Sequence, residues 1–179
     1  MLYIDGSSNS QGSGAGIILT TLEGIQLEYA LRFGFKASNN EVEYEALLVE
    51  LQSATTTGAK QIRVYNDSQL VVNQVLQQYE AREDNMIAYL ALVHAIIVKL
   101  KGMSITQILR EENTQADRLA HLASSLESDL QGVRIEYLSE PSVLQLERMD
   151  VDPIDVGPSW MDPIMMYLTT GTLDRKSVV

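Results

Sequence analysis

Apolar and polar positions along the chain alternate first with the period of a strand and then with that of a helix. Leu2-Tyr3-Ile4 is a short apolar run that ends in Asp5-Gly6-Ser7-Ser8-Asn9, a turn cluster. Residues 14–21 read as a second strand, with glycines suited to close backbone approach. Glu23-Gly24 makes a turn, and residues 26–35 alternate as a third strand. Three strands with tight turns predict an antiparallel meander. Val42, Leu47, Leu48, Leu51 and Ala54 then fall at helical spacing, with Gly58 as the stop. Residues 61–65 read as a fourth strand, followed at once by Asn66-Asp67-Ser68 and a short helix through Leu76. A long helix is predicted over 84–101, a fifth strand over 104–109, and a last helix from Asn113 to about Glu127. The order β-β-β-α-β-α-α-β-α predicts an α/β fold: a five-stranded mixed sheet, three strands antiparallel and two joined by helical crossovers, flanked by helices.

The texture changes near residue 130. Residues 1–130 are expected to form one domain. Residues 131–179 are expected to be a linker or tail, since 140–179 hold all four prolines, with a short helix near 159–169. The chain of 179 residues is long enough for one real core. It has no cysteine, which excludes a disulfide framework, a zinc knuckle and thiol catalysis. Its formal net charge is −11, spread along the chain, so bulk electrostatics oppose binding to a polyanion. Any nucleic-acid function must therefore rest on a local site. No secretory signal and no membrane-spanning run is recognised, so an intracellular protein, in cytoplasm or nucleus, is expected.

Four acids recur where strands end and helices begin: Asp5, Glu43, Asp67 and Asp117. Such positions are where α/β folds place their chemistry. Four carboxylates meeting there would repel one another unless a cation lay between them. Each also has a local structural reading. Asp5 can support the Gly-Ser bend. Glu43 can be the third residue of a capping box led by Asn40. Asp67 can cap the helix that starts at Ser68. Asp117 can pair with its neighbours Arg118 and His121 or with solvent. The functional reading rests on the set, in its order, and on no single member.

The stretches YIDGSSNSQGSGAGIIL, FKASNNEVEYEALL, VYNDSQLVVNQV and ILREENTQADRLAHLAS span residues 3–124. On them the chain closely resembles the ribonuclease H type 1 domain, and within it the domain of plant gypsy-type LTR retrotransposon polyproteins. SWMDPIMMYLTTGTL resembles the connection from that domain toward the integrase. The resemblance implies a metal-dependent endonuclease that cuts the RNA strand of RNA/DNA hybrids, leaving 5′-phosphate and 3′-hydroxyl ends. It implies Asp5, Glu43, Asp67 and Asp117 as the ligands of two Mg²⁺ ions, with Mn²⁺ as a substitute. Asp5 would bridge both ions, Glu43 and Asp67 complete one site, and Asp117 the other. Hard oxygen donors suit such ions, and a pair roughly 3.5–4 Å apart suits in-line displacement at phosphorus. Of the three glutamates in EVEYE, Glu43 becomes the catalytic candidate. Glu41 and Glu45 are expected on the outer face, with Tyr44 and Leu47 turned to the core.

The same resemblance places Gly12, Gly14, Asn39, Asn40 and Gln69 against the hybrid's minor groove, where the 2′-hydroxyl distinguishes RNA from DNA. Lys36 and Ser38 would hold a DNA-strand phosphate. The sequence departs from the family pattern in two places. The loop before the last helix, Leu109-Arg110-Glu111-Glu112-Asn113, carries no histidine, and Arg110 is left to steer phosphate or product there. The basic helical extension that grips the hybrid is missing: residues 80–101 offer only Arg82, Lys99 and Lys101. Grip would then come from the reverse transcriptase region of a parent polyprotein, with its integrase region as a second partner. His121, one helical turn past Asp117, reads either as support for that carboxylate or as a surface residue, and His94 as a packing residue. A monomer is expected. The rival to the enzyme reading is an inert element remnant acting at most as an interaction module. A proofreading exonuclease would want Asp-x-Glu on the first strand, and an integrase core would want its glutamate on the last acid-bearing helix.

Overall fold

The computed structural model describes residues 1–125 and 132–144. Strands β1 (Leu2–Ser8), β2 (Ser13–Thr20) and β3 (Gln26–Phe33) form the expected antiparallel meander. Helix α1 (Asn39–Thr56) crosses to β4 (Gln61–Asn66), which pairs parallel to β1. Helices α2 (Gln69–Val75) and α3 (Asp84–Ile97) lead to β5 (Gly102–Gln107), parallel to β4. A single 3-10 turn, Arg110–Glu112, precedes α4 (Thr114–Ser124). The sheet has six strands in the order β5-β4-β1-β2-β3-β6, one more than the sequence predicted. The addition is β6 (Arg134–Leu138), parallel to β3, inside the stretch expected to be linker. The helix expected near 159–169 lies outside the described residues. Among the described residues, no helix is long and apolar enough to cross a membrane.

The sheet has two unequal faces. Leu2, Ile4, Ile17 and Leu31 share the main core with Val42, Leu47, Leu48 and Leu51 of α1, which lies on this face of the sheet and is backed in turn by α3. Among the described residues, the other face carries α4 alone of the helices, through Ala116 and Leu119 against Ile18. Helix α4 comes unusually close to β2. A Cβ at Gly16 would run into the Ala116 carbonyl oxygen, and one at Gly14 into Ala123. The glycines read from sequence as permitting close approach are thus explained by a helix lying directly on the strand. Directly opposed residues of an antiparallel pair share a face, so Asp5, paired with Gly16, is on the side of α4.

Several local expectations are corrected. Strand β1 does not close at Asp5 but runs on to Ser8, since β2 supplies partners for the whole stretch. Helix α1 is capped by Ser38, not Asn40. Ser38 Oγ accepts from the Glu41 amide at 3.3 Å, and Glu41 Oε2 accepts from the Ser38 amide at 2.7 Å. Glu43 is thereby released from capping. The α2 cap is Ser68, not Asp67, with Ser68 Oγ accepting from the Val71 amide. Helix α1 ends as expected, at Thr57 followed by Gly58 with φ +77°. Tyr44 and Leu47 are buried as expected, but Glu45 is not on the outer face: it is fully buried, because Tyr89 of α3 and Ser142 beyond β6 close over it. His94 is half-buried on α3.

Candidate functional site

The site begins where two parallel strands part. Pairing between β1 and β4 ends at Ile4 with Asn66. Asp5 and Asp67 are the next residue on each strand, at the carboxyl end of this parallel pairing, where open α/β sheets leave a crevice. Glu43 reaches the same point from the first turns of α1. Gly6 is the hinge of this approach: its amide donates to Glu43 Oε1 at 2.8 Å and to Asp5 Oδ1 at 3.0 Å. A Cβ at Gly6 would press on Val42 at 2.9 Å, so glycine lets α1 settle onto β1 here. One carboxylate oxygen from each of Asp5, Glu43 and Asp67 lies within 4.8 Å of the others.

Two asparagines that the sequence did not place in the site hold this cluster. Asn66 Nδ2 donates to Glu43 Oε2 at 2.6 Å, and Asn66 Oδ1 accepts from the Ser68 amide. Asn113, expected only as a helix cap, makes no side-chain cap bond. Its Nδ2 instead donates to the Ile4 carbonyl at 2.9 Å and to Asp67 Oδ1 at 3.4 Å. The signal for both was their place directly beside a candidate acid or at the start of its helix, which sequence alone assigns equally well to turns.

The electrostatics are those of carboxylates pressed together with hydrogen-bond donors but, among the described residues, no buried positive charge beside them. Burial, then the charges of Glu43 and Asp67, push the Asp5 carboxyl up to about 9. Burial raises Glu43 to about 7, opposed by the hydrogen bonds from Asn66, Asp5 and Gly6. Left alone, the cluster must retain protons. A divalent cation would relieve the same repulsion, and three hard oxygen donors in reach of one point suit Mg²⁺ or Mn²⁺. The residues therefore fit such an ion.

Asp117 stands at the edge of this group and not within it. It lies in the first turn of α4 and reaches the Asp5 carboxyl. Its Oδ1 accepts from Arg110 Nη2 at 3.2 Å and lies 3.5 Å from His121 Nε2. Arg110 is exposed on the 3-10 turn, and its guanidinium also feels Asp5 and Asp67. The remaining candidates surround this centre. Asn39 Oδ1 accepts from the Ser8 amide at 2.9 Å, tying the start of α1 to the end of β1. Ser38 is the α1 cap, Asn40 follows it half-buried, and Lys36 is exposed just before it. Gly12 sits in the β1–β2 turn, its amide bonded to Asn9 Oδ1. Gly14 is buried under α4, so its glycine has a packing reason. Gln69 is exposed at the start of α2, donating to the Tyr79 hydroxyl at 3.1 Å.

Residues 3–123 match the family model described as "Reverse transcriptase-like". The chain belongs to this family of ribonuclease H domains. Ribonuclease HI of Halobacterium salinarum is 31% identical over 124 residues, covering 68% of this chain and 62% of that protein. A bifunctional protein of Mycobacterium tuberculosis is 26% identical over 150 residues, covering 79% of this chain and 41% of its own length. The chain thus spans about two fifths to three fifths of these relatives. Among solved structures, ribonuclease H1 of H. salinarum superposes with a TM-score of 0.60 at 27% identity, covering 68% of this chain and 94% of the other. LC11 ribonuclease H1, solved in complex with an RNA/DNA hybrid, gives a TM-score of 0.62 at 28% identity, covering 69% and 94%. The ribonuclease H fold read from the residues is therefore the observed one.

Proposed function

We propose that this chain is a divalent-metal-dependent endonuclease that cuts the RNA strand of RNA/DNA hybrids. The observation that carries the reading is the convergence of Asp5, Glu43 and Asp67 at the ends of β1 and β4, in a chain of the ribonuclease H family. Bound Mg²⁺ or Mn²⁺ would supply the charge that polarises the phosphodiester and makes water a usable nucleophile. Asp5, Glu43, Asp67 and Asp117 would hold it, in the two-ion arrangement that the family resemblance implies. Gly6 and Asn66 fix both oxygens of Glu43, and Asn113 steadies Asp67, so the donors are aimed before substrate arrives. Arg110, exposed and adjacent, would draw a phosphate of the scissile strand toward the acids. Asn39, Asn40, Gln69 and Gly12 would face the minor groove, and Lys36 with the Ser38 end of α1 a DNA-strand phosphate. The products would be 5′-phosphate and 3′-hydroxyl ends.

A second reading is an inert domain that folds, keeps its acids and cuts nothing. The net charge of −11 favours it, since the chain's own field opposes a polyanion. In the enzyme reading that deficit is met from outside, by a reverse transcriptase region of a parent polyprotein. Cleavage of an end-labelled hybrid at low salt, with Mg²⁺ or Mn²⁺, separates the two. The enzyme reading expects cuts in the RNA strand only, lost with chelator and with Asp67→Asn. A folded chain that leaves the hybrid intact at high concentration supports the inert one.

A further inference from the structure

The side of α4 that carries Asp117 also carries a chain of hydrogen bonds unused so far. Asn9 Nδ2, in the β1–β2 turn, donates to Ser124 Oγ at 3.2 Å. Ser124 Oγ has two acceptors in reach of its one hydrogen, Ser7 Oγ at 3.2 Å and the His121 carbonyl at 3.1 Å, and Ser7 Oγ lies 3.4 Å from His121 Nδ1. A hydroxyl has one hydrogen to give. If Ser7 accepts from Ser124, its own hydrogen goes to His121 Nδ1. That ring nitrogen is then the acceptor, and Nε2 carries the N–H. Nε2 is the atom that lies 3.5 Å from Asp117 Oδ1. In that direction the relay places the ring N–H on the nitrogen that faces the carboxylate.

Asp117 Oδ1 thus has two nitrogens of different character beside it, the Arg110 guanidinium hydrogen-bonded at 3.2 Å and His121 Nε2 at an ion-pair distance of 3.5 Å. Arg110 reaches it from an exposed single turn, and the same guanidinium is the group placed to meet a phosphate. His121 reaches it from α4 itself, which Gly14 and Gly16 hold tight against β2. The Arg110 guanidinium is exposed and can turn to a phosphate, whereas the His121 ring also has Ser7 Oγ beside its other nitrogen. We infer that His121 is a positioning residue for Asp117: Ser7 fixes its ring, and its Nε2 keeps that carboxylate turned toward Asp5 when Arg110 engages substrate. This rests on the proposal that the acids hold a divalent cation, and it assigns the histidine a role that its surface exposure concealed.

The test is Mn²⁺ binding to the protein alone, by calorimetry, without nucleic acid. The variants are His121→Ala, His121→Gln, Ser7→Ala and Arg110→Ala, with Asp67→Asn as control. Removing such a support costs about tenfold or more in metal affinity, so His121→Ala is expected to weaken Mn²⁺ binding by about that factor. Its melting temperature should stay within a few degrees, because the side chain is mostly exposed. His121→Gln places an amide nitrogen near the position of Nε2 and should recover most of the loss. Ser7→Ala, which frees the ring, should lose affinity in the same direction. Arg110→Ala should bind Mn²⁺ no more weakly than the parent. Parent-like affinity in His121→Ala overturns the inference, as does a larger loss in Arg110→Ala than in His121→Ala. A parent chain that binds Mn²⁺ no better than Asp67→Asn is a different failure: it removes the metal reading itself, and this inference with it.

Discussion

Glu43 and Glu45 sit two residues apart in α1, and both are buried. They are solved in opposite ways. Glu45 is enclosed by donors. The Tyr89 hydroxyl gives a 2.6 Å bond to Oε1, the Ser142 amide a 2.7 Å bond to Oε1, and the Ser142 hydroxyl a 2.5 Å bond to Oε2. Glu43 also has donors, Gly6 and Asn66, but its open side faces Asp5 and Asp67. Glu45 is complete as it stands and ties the segment beyond β6 to α1 and α3. In the proposed function Glu43 is completed by a cation between the acids. Burial of a carboxylate therefore does not by itself point to chemistry. What sets Glu43 apart as the catalytic candidate is that its neighbours are carboxylates.

The largest effect should come from the incomplete pole. Glu43→Gln or Asp67→Asn is expected to reduce hybrid cleavage by at least about a hundredfold, while the metal-free fold keeps or gains stability because repulsion falls. Cleavage rates beside melting curves check both halves. Next comes Glu45→Ala, which leaves the Tyr89 hydroxyl and the Ser142 amide without their acceptor. Its cost is about 2–4 kcal/mol, read in denaturant unfolding. Cleavage per folded molecule should change little, which separates the two glutamates. Ser142→Ala removes one of the three donors and should cost only about 1 kcal/mol.

A third glutamate of α1 sharpens the comparison through pH. Glu50 is buried, and its Oε1 has no hydrogen-bond partner. Burial, then the charge of Glu136 on β6, pushes its carboxyl from 4.5 up to about 7. The folded chain therefore holds a proton that the unfolded chain has already released. The stability tied to that proton is complete below the unfolded value of 4.5 and is lost as pH rises through about 7. Glu50→Gln should flatten stability against pH across that window. It should stabilise the chain at pH 8 by about 1–3 kcal/mol, measured by melting at several pH values.

Much of this was legible in the chain. The element order followed from the change of hydrophobic period after the third strand. The four acids stood out because each fell at a strand end or helix start. What was not legible depended on partners distant in sequence. Ser38-x-x-Glu41 and Asn40-x-x-Glu43 both fit a capping box, and only the demand of Asp5 and Asn66 for Glu43 decides between them. Glu45 looked like an outer-face residue because its cover comes from Tyr89 and Ser142, 44 and 97 residues away. Strand β6 was hidden because Arg134–Leu138 is short and half-polar, and β3 alone pairs with it. His121 read more readily as a surface residue than as support for Asp117, since its contact with Ser7 spans 114 residues.

The most direct test of the contrast is the melting temperature at pH 8 with increasing Mn²⁺, for the parent chain, Glu43→Gln and Glu45→Gln. A ligand that binds only the folded state raises its stability in proportion to the logarithm of its concentration. The account predicts a rising melting temperature for the parent and for Glu45→Gln, the latter from a lower start, and a flat or much shallower response for Glu43→Gln. Equal responses in all three, or none in the parent, would contradict it.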